Sequence, residues 1–175
     1  MTQNGHVDLD QNSVLLILTF HRLGNSKKVK PGQVQTDAAP ARVKSQKKLL
    51  ESEEFEAVRK ADQVFVHSTI EPRGLPTGVV LKDGVYRIPL PLVDDLEAKI
   101  QDYLVERQAL VDKFLAIYDS QVEDARGSLR SLYDSSDYKD REEAERAFSV
   151  EYRYATLGVP ESLSSKLFHR EEERA

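Results

Sequence analysis

The chain contains no cysteine, no tryptophan and a single methionine. Without cysteine it can form neither disulfides nor thiolate metal sites, and it has no cysteine nucleophile. No stretch approaches the roughly 18 apolar residues of a membrane-spanning helix. The most apolar segment, 14–20, is too short for a signal-peptide core and follows no basic leader. We therefore expect a cytoplasmic protein whose core is built from Leu, Val, Ile, Phe and Tyr.

The sequence also lacks the usual motifs of catalysis. Its eight glycines form neither GxGxxG nor GxxxxGK[ST], and GxSxG is absent. Histidines occur at four positions without the spacing of metal ligands, namely His6, His21, His67 and His169. We therefore predict that the chain is not an enzyme, with no catalytic residue, no metal site and no cofactor. The alternative is an enzyme with an unfamiliar carboxylate-based site.

Positive charge is concentrated in one part of the chain. The net charge is −5, yet residues 22–48 hold eight basic residues and one acid, a charge of +7, which leaves −12 for the remainder. A basic lobe on an acidic chain is compatible with a nucleic-acid or acidic partner, although surface lysines also serve solubility and protect sheet edges. The candidate contacts to DNA or RNA are Arg22, Lys27, Lys28, Lys30, Arg42, Lys44, Lys47 and Lys48.

The longest pattern is an amphipathic helix from Pro91 to about Tyr133. Its apolar residues form one stripe at 100° per residue, and it would be roughly 60 Å long if unbroken. Pro91 suits a first turn, and Asp94, Asp95 and Glu97 complement the helix dipole rather than indicating a metal site. Because a small sheet cannot cover so long a stripe, we expect the chain to form a homo-oligomer through the distal half of this helix.

Two polar residues lie inside this stripe. Arg107 and Gln121 each need a partner if the stripe is buried, because an unpaired guanidinium or amide is costly there. Arg107 either pairs with an acid on a packed helix or contacts an anion or phosphate in a groove. The expected interface between copies comprises Arg107, Leu110, Phe114, Tyr118, Gln121 and Val122.

Extended segments are predicted on both sides of the long helix. A continuous apolar run indicates a buried central strand over 14–22, and residues 27–29 are compatible with a short extended piece. An Asp-Gly pair between β-branched residues indicates a hairpin over 78–90. Alternating aromatic residues indicate a last strand over 148–156, as a core face or, alternatively, as a stacking platform for single-stranded nucleic acid.

Shorter helices are predicted from capping residues. Ser52 is an N-cap before two acids, and Asp140 has capping-box spacing to Glu143. Residues 64–70 suit either the end of the first helix or an extended segment. The predicted helical segments are 43–50, 53–66, 141–148 and a final helix after Pro160, with loops at 33–41 and 71–76.

These elements predict an α+β fold. A small, mostly antiparallel sheet of about four strands packs on the long helix, 91–133, and on two or three shorter helices. Residues 1–12 are polar without periodicity and are expected to be a disordered leader. A single domain spans 13–168, and a charged tail follows at 169–175.

Five segments resemble, in their order along the chain, a family of uncharacterised proteins encoded by bacteriophages and bacterial mobile elements. They are LGNSKKV, SQKKLLESEEFEAV, GVYRIPLPLVDDLE, RQALVDKFLAIY and EYRYATLGVPESL. The similarity covers roughly residues 14–165. It implies no catalytic residue, and because family members continue into a further helical region, it implies a short or truncated member here. For a phage-encoded protein the expected location is the cytoplasm of the bacterial host.

Charge, helix and resemblance together favour a non-enzymatic binding or assembly protein. It would be oligomeric through its long helix and would contact nucleic acid through the basic lobe, 22–48. The alternative is an adaptor or inhibitor that binds a host or phage protein through exposed helix surface and does not contact nucleic acid.

Overall fold

A computed structural model describes residues 12–29, 46–77 and 84–156 of the chain. Within them a four-stranded antiparallel sheet packs on one long helix and two shorter helices, which confirms the predicted α+β class. Most of the predicted leader, the 33–41 loop, the final helix and the charged tail lie outside the described residues.

The described elements comprise six strands and three α-helices. They are β1 (Ser13–Phe20), β2 (Ser26–Lys28), β3 (Gln46–Lys48), α1 (Glu53–Phe65), β4 (Leu75–Pro76), β5 (Val85–Pro89), α2 (Val93–Leu129), α3 (Arg141–Arg146) and β6 (Val150–Ala155). The strands of the main sheet follow the order β4-β5-β1-β6, and β2 pairs with β3 in a separate two-stranded ribbon. The apolar strand β1 is therefore central, as its continuous run predicts.

The long helix is confirmed with tighter bounds. α2 has 37 residues, and 3-10 turns at Leu90–Leu92 and Arg130–Leu132 extend the helical segment to 43 residues. Pro91 lies in the first of these turns, where its missing N–H leaves no intrahelical hydrogen bond unmade. The helix continues through Gly127 and ends at Arg130, whose φ is 48°.

Two hydrophobic clusters cover the apolar stripe of α2. Its first half packs on one face of the sheet, where Leu96 and Ile100 meet Leu16 and Ile88. Tyr152 and Tyr154 of β6 pack against the same cluster, which confirms that the alternating aromatic residues form a core face. The second half packs on α1 and α3, through Leu49, Leu50, Phe55, Val58, Val111, Phe114, Leu115, Tyr118, Ala144 and Phe148.

Local capping signals are borne out at both shorter helices. The Ser52 hydroxyl accepts a hydrogen bond from the Phe55 N–H at 3.1 Å, and the Asp140 carboxylate accepts one from the Glu143 N–H at 2.8 Å. α1 passes directly into a π-helical turn at Val66–Ile70, so the extended alternative for 64–70 is wrong. Ile70 is fully buried under the sheet cluster, and helical backbone places it there.

Two local predictions are wrong because pairing between distant segments overrides local pattern. The described part of the predicted helix 43–50 contains strand β3, which is held by antiparallel pairing with β2. The predicted loop 71–76 contains the edge strand β4, where Pro76 is tolerated because the edge needs no donor. Of the predicted hairpin 78–90, residues 78–83 lie outside the described residues, and the second arm contains strand β5. The Gly84 carbonyl accepts a hydrogen bond from the Leu18 N–H at 2.8 Å.

A buried ion pair joins the two helices. Arg107 on α2 and Asp62 on α1 are each 2% exposed, and the Arg107 Nε donates to Asp62 Oδ1 at 2.8 Å. The Tyr103 hydroxyl donates to the same oxygen at 2.6 Å, and Arg22 approaches the other oxygen at 3.8 Å. Burial, followed by the Asp62 carboxylate, raises the pKa of Tyr103 far above its ordinary value, so its hydroxyl stays a donor.

The two terminal nitrogens of Arg107 donate hydrogen bonds to two segments that flank strands of the sheet. One terminal nitrogen donates to the Phe148 carbonyl, just before β6, and the other donates to the His21 carbonyl at 3.1 Å, just after β1. The guanidinium also lies 5.7 Å from the centre of the Phe20 ring. Arg107 therefore pairs with an acid on a packed helix, and its donors satisfy carbonyls from both ends of the chain.

We expect Arg107→Met to lower the free energy of unfolding by about 3–5 kcal/mol, because Asp62 stays buried without its main partner. The double variant Asp62→Leu, Arg107→Met should lose less than the two single variants together. Urea unfolding followed by circular dichroism measures all three. The control is Arg146→Met, an exposed arginine whose loss should cost about 0.5 kcal/mol or less. Equal unfolding midpoints for Arg107→Met and the control would contradict the central role of the pair.

Replacing glycine by alanine should have opposite effects on stability at Gly127 and at Gly84. A Cβ at Gly127 on α2 would meet no atom within 4 Å, so Gly127→Ala should stabilise the fold by about 0.5–1 kcal/mol. Gly84 has a φ of +82°, and a Cβ there would lie 2.6 Å from the Leu18 carbonyl oxygen. Gly84→Ala should therefore destabilise the fold by more than about 1 kcal/mol. Thermal unfolding of both variants checks the two signs together.

Candidate nucleic-acid interface

The described part of the basic lobe contains the β2–β3 ribbon. The structure describes Arg22, Lys27, Lys28, Lys47 and Lys48 of the predicted nucleic-acid contacts. In the chain between β2 and β3 the sequence carries Lys30, Arg42 and Lys44, which lie outside the described residues. Residues 20 positions apart are thus brought side by side, because the register pairs Lys27 with Lys47.

Lys27 and Lys47 would repel each other as a cross-strand pair, since like charges directly opposite one another destabilise a sheet. Asp137, from a 3-10 turn at Ser135–Asp137, lies between them and forms an ion pair with both ammonium groups. Lys47 also donates to the Leu132 carbonyl at 2.7 Å, at the negative end of the long helical segment. The ribbon is thereby fastened to the distal end of α2.

The Asp137 carboxylate is only 2% exposed. Its burial acts to raise its pKa, but hydrogen bonds and charge from Lys27 and Lys47 outweigh this, so the pKa of Asp137 lies below its ordinary value. The hydrogen bond to Asp137, together with the Asp137 charge, raises the pKa of Lys27. Asp137 and Lys27 are therefore both charged across the neutral pH range.

A cavity of about 570 Å³, the ribbon pocket, lies beside the ribbon. Four cations and two carboxylates line it, so it carries a surplus of two positive charges on a chain of net charge −5. Its lining residues are Lys27, Lys28, Lys47, Arg126, Leu132, Tyr133, Asp134, Ser135, Ser136 and Asp137.

Asp134 shapes the wall opposite the ribbon. Its Oδ1 accepts hydrogen bonds from the Ser136 hydroxyl at 2.7 Å and from the Ser136 N–H at 3.0 Å. These bonds cap the turn and lower the pKa of Asp134. The wall is therefore a fixed turn that carries a permanent negative charge at neutral pH.

Arg126 reaches the pocket from the last turn of α2. Its guanidinium carbon lies 5.3 Å from the centre of the Tyr133 ring, and Tyr133 stacks on Tyr138 at 5.2 Å with an interplanar angle of 19°. Sequence reasoning missed these three residues, which lie far from the basic lobe along the chain. The available signal was a basic residue in the last turn of a helix, where it complements the helix dipole.

Of the other described basic residues of the lobe, Arg22 and Lys48 contact acidic side chains and Lys28 is exposed to solvent. Arg22 faces the buried Asp62, and Lys48 pairs with Glu51 at 2.6 Å. Lys28 is exposed, and in the described ranges no acidic side chain pairs with it. The structure thus brings Lys27, Lys28 and Lys47 to one site and places Arg22 and Lys48 outside the pocket lining.

The residues expected to form an interface between copies divide in the same way. Arg107, Phe114 and Tyr118 lie in the interior of the single chain, because α1 and α3 cover the distal half of α2. A helical wheel cannot distinguish such intramolecular partners from a second copy. Leu110, Gln121 and Val122 are half-buried. Self-association stays a prediction, with less apolar surface to drive it than the sequence implies.

The described ranges contain no group of three or more histidines and acids close enough to hold a metal ion. The acids at the start of α2 have other partners: Asp95 pairs with Arg73 at 2.8 Å, and Glu97 accepts a hydrogen bond from the Tyr152 hydroxyl at 2.6 Å. In the same ranges, no helix combines the length and the apolar character needed to cross a membrane.

Comparison with known proteins adds no relative: no family model, no curated protein and no solved structure matches the chain. A function must therefore be inferred from the side chains that line the ribbon pocket.

Asp137→Asn should lower the free energy of unfolding by about 1–3 kcal/mol at neutral pH, because two lysines lose their charged partner. Since the folded pKa of Asp137 lies below its ordinary value of 3.8, this stabilisation is complete above that pH and is lost as pH falls through the folded pKa. At the alkaline end it fades as pH rises through the raised pKa of Lys27. Urea unfolding at several pH values measures the difference.

The matched control for this measurement is Asp119→Asn, which removes a carboxylate with 77% exposure whose partner, Arg141, is 3.7 Å away. Its effect should be small at every pH, because exposed ion pairs contribute little. A stability difference between Asp137→Asn and the wild type that persists undiminished in acid would contradict an electrostatic role for Asp137.

Proposed function

We propose that the chain is a non-enzymatic nucleic-acid-binding protein of a bacteriophage or bacterial mobile element, and that it holds backbone phosphates at the ribbon and its pocket. The observation that carries the proposal is the pairing of β2 with β3, which gathers Lys27, Lys28 and Lys47 beside Arg126 around one cavity. Lysine and arginine neutralise phosphates and release their counterions, which is the main sequence-independent source of affinity for nucleic acid.

The charge distribution supports binding at this place rather than over the whole surface. The chain as a whole is acidic, with a net charge of −5, so most of its surface repels a polyanion. The two strands of the ribbon carry Lys27, Lys28, Lys47 and Lys48, and the sequence between them adds Lys30, Arg42 and Lys44. A polyanion is therefore steered to one end of the molecule, beside the C-terminal end of α2.

The strength of each contact differs with its partner. Asp137 already neutralises part of the charge on Lys27 and Lys47, and it holds both ammonium groups in place. Lys28 is exposed and has no acidic partner in the described ranges. We therefore expect Lys28 to contribute most to the affinity for nucleic acid. The ion pairs of Asp137 with Lys27 and Lys47 should instead hold the ribbon in position.

Replacing Lys27 and Lys28 by glutamine should weaken the binding of a labelled oligonucleotide. For a single strand, the plot of log K against log salt should become shallower by about 1.4, because each phosphate contact contributes about 0.7. Fluorescence anisotropy over a series of salt concentrations measures both changes.

The control replaces Lys99 and Lys113 by glutamine. This removes the same charge from α2, where neither residue lines the ribbon pocket. Its binding should match the wild type apart from a small change in long-range attraction. Equal loss in the two double variants would mean that net charge alone governs binding. Binding of a host or phage protein that is insensitive to both changes, without oligonucleotide binding, would favour the adaptor alternative.

A further inference from the structure

The ribbon pocket combines positive charge with a stacked aromatic platform. We propose that it binds an unpaired stretch of nucleic acid, with one base lying on the Arg126 guanidinium and the adjoining phosphates contacting Lys27 and Lys28. This inference rests on the proposed function and names the class of nucleic acid that the site takes.

The platform is the stack of Tyr138, Tyr133 and Arg126, which is partly buried at the Tyr138 end and exposed at the Arg126 end. Tyr138 packs against the hydrophobic cluster of α1, α2 and α3, and Tyr133 stacks on it. Arg126 lies over Tyr133 and has 59% of its side chain exposed. The exposed guanidinium is thus held by a stack of two rings that is anchored in the core.

A guanidinium is a flat, weakly hydrated cation on which nucleic-acid bases stack. Glu123 pairs with Arg126 at 3.0 Å and has 65% of its side chain exposed, so the pair orients the guanidinium without covering it. Paired bases in a duplex are covered on both faces by their neighbours. Inside a duplex no base face is therefore free to complete the stack, whereas an unpaired base offers one.

One of the two carboxylates of the pocket, Asp134, favours a nucleotide over a bare anion. Asp137 is neutralised by Lys27 and Lys47, but Asp134 keeps its charge, since the hydrogen bonds from Ser136 lower its pKa. An inorganic polyphosphate meets only repulsion at Asp134. A nucleotide presents amino or hydroxyl groups, which donate hydrogen bonds to a carboxylate.

The size of the cavity agrees with this occupant. Its volume of about 570 Å³ lies within the range of small-ligand sites, about 300–1,000 Å³. Lys28 and Arg126 line the same cavity, one on the ribbon and the other on α2, so one ligand in the cavity can contact both.

The test compares wild type with Arg126→Lys, which keeps the charge but removes the flat surface. The probes are single-stranded DNA, single-stranded RNA and duplex DNA of one sequence, each carrying a fluorescent base analogue that is quenched on stacking, with inorganic pyrophosphate as competitor. We expect both single strands to bind more tightly than the duplex, and Arg126→Lys to lower their affinity about fivefold or more. The quenching should be lost and the salt dependence should stay unchanged.

The matched control is Arg146→Lys on α3, an exposed arginine outside the pocket lining, which should bind every probe as wild type does. Melting temperatures confirm that both variants fold. Equal binding of duplex and single strands, with no effect of Arg126→Lys, would overturn the inference while the proposed function stood. Full competition by pyrophosphate together with unchanged quenching in Arg126→Lys would reduce the pocket to a plain anion site and overturn it too. No binding of any probe would overturn both.

Discussion

The contact between Arg107 and Asp62 holds together parts of the chain that have little else in common. It joins α1 to α2, and through the carbonyls of His21 and Phe148 it also fixes the ends of two sheet strands. Burying a guanidinium and a carboxylate is costly, and the cost is offset here because every Arg107 nitrogen has an acceptor. The ribbon leaves the core shortly after His21, so this contact also determines where the basic residues emerge.

The two halves of the long helix α2 pack against different parts of the fold. Its first half supports the sheet, and its second half supports α1, α3 and the turn that carries Asp137. The ribbon pocket is built at the far end, from β2, β3, the last turn of α2 and residues 132–137 after it, while the four-stranded sheet contributes no residue to its lining. Changes in the pocket should therefore leave the sheet intact, which makes charge substitutions there interpretable.

The parts of the fold that sequence predicts are those decided by neighbours in the chain. The stripe of α2, the caps at Ser52 and Asp140 and the apolar run of β1 are all local signals, and each is found in the structure. Strand β3 is not predictable in this way, because pairing with β2 decides it. The approach of Arg126 and Tyr133 to the basic ribbon likewise depends on how α2 ends against β2 and β3, and no spacing in the sequence records it.

The position of β1 has a consequence for the order in which the molecule can form. This first strand is central, but its two partners, β5 and β6, are the last described strands of the chain. Pairings across such sequence separation close large loops before they contribute stability, which slows folding. On the ribosome, β1 must wait through the synthesis of almost all the described chain, its apolar run unpaired on one edge until β6 emerges. Such a nascent chain depends on early packing of α1 against α2, or on a chaperone, to stay free of aggregation.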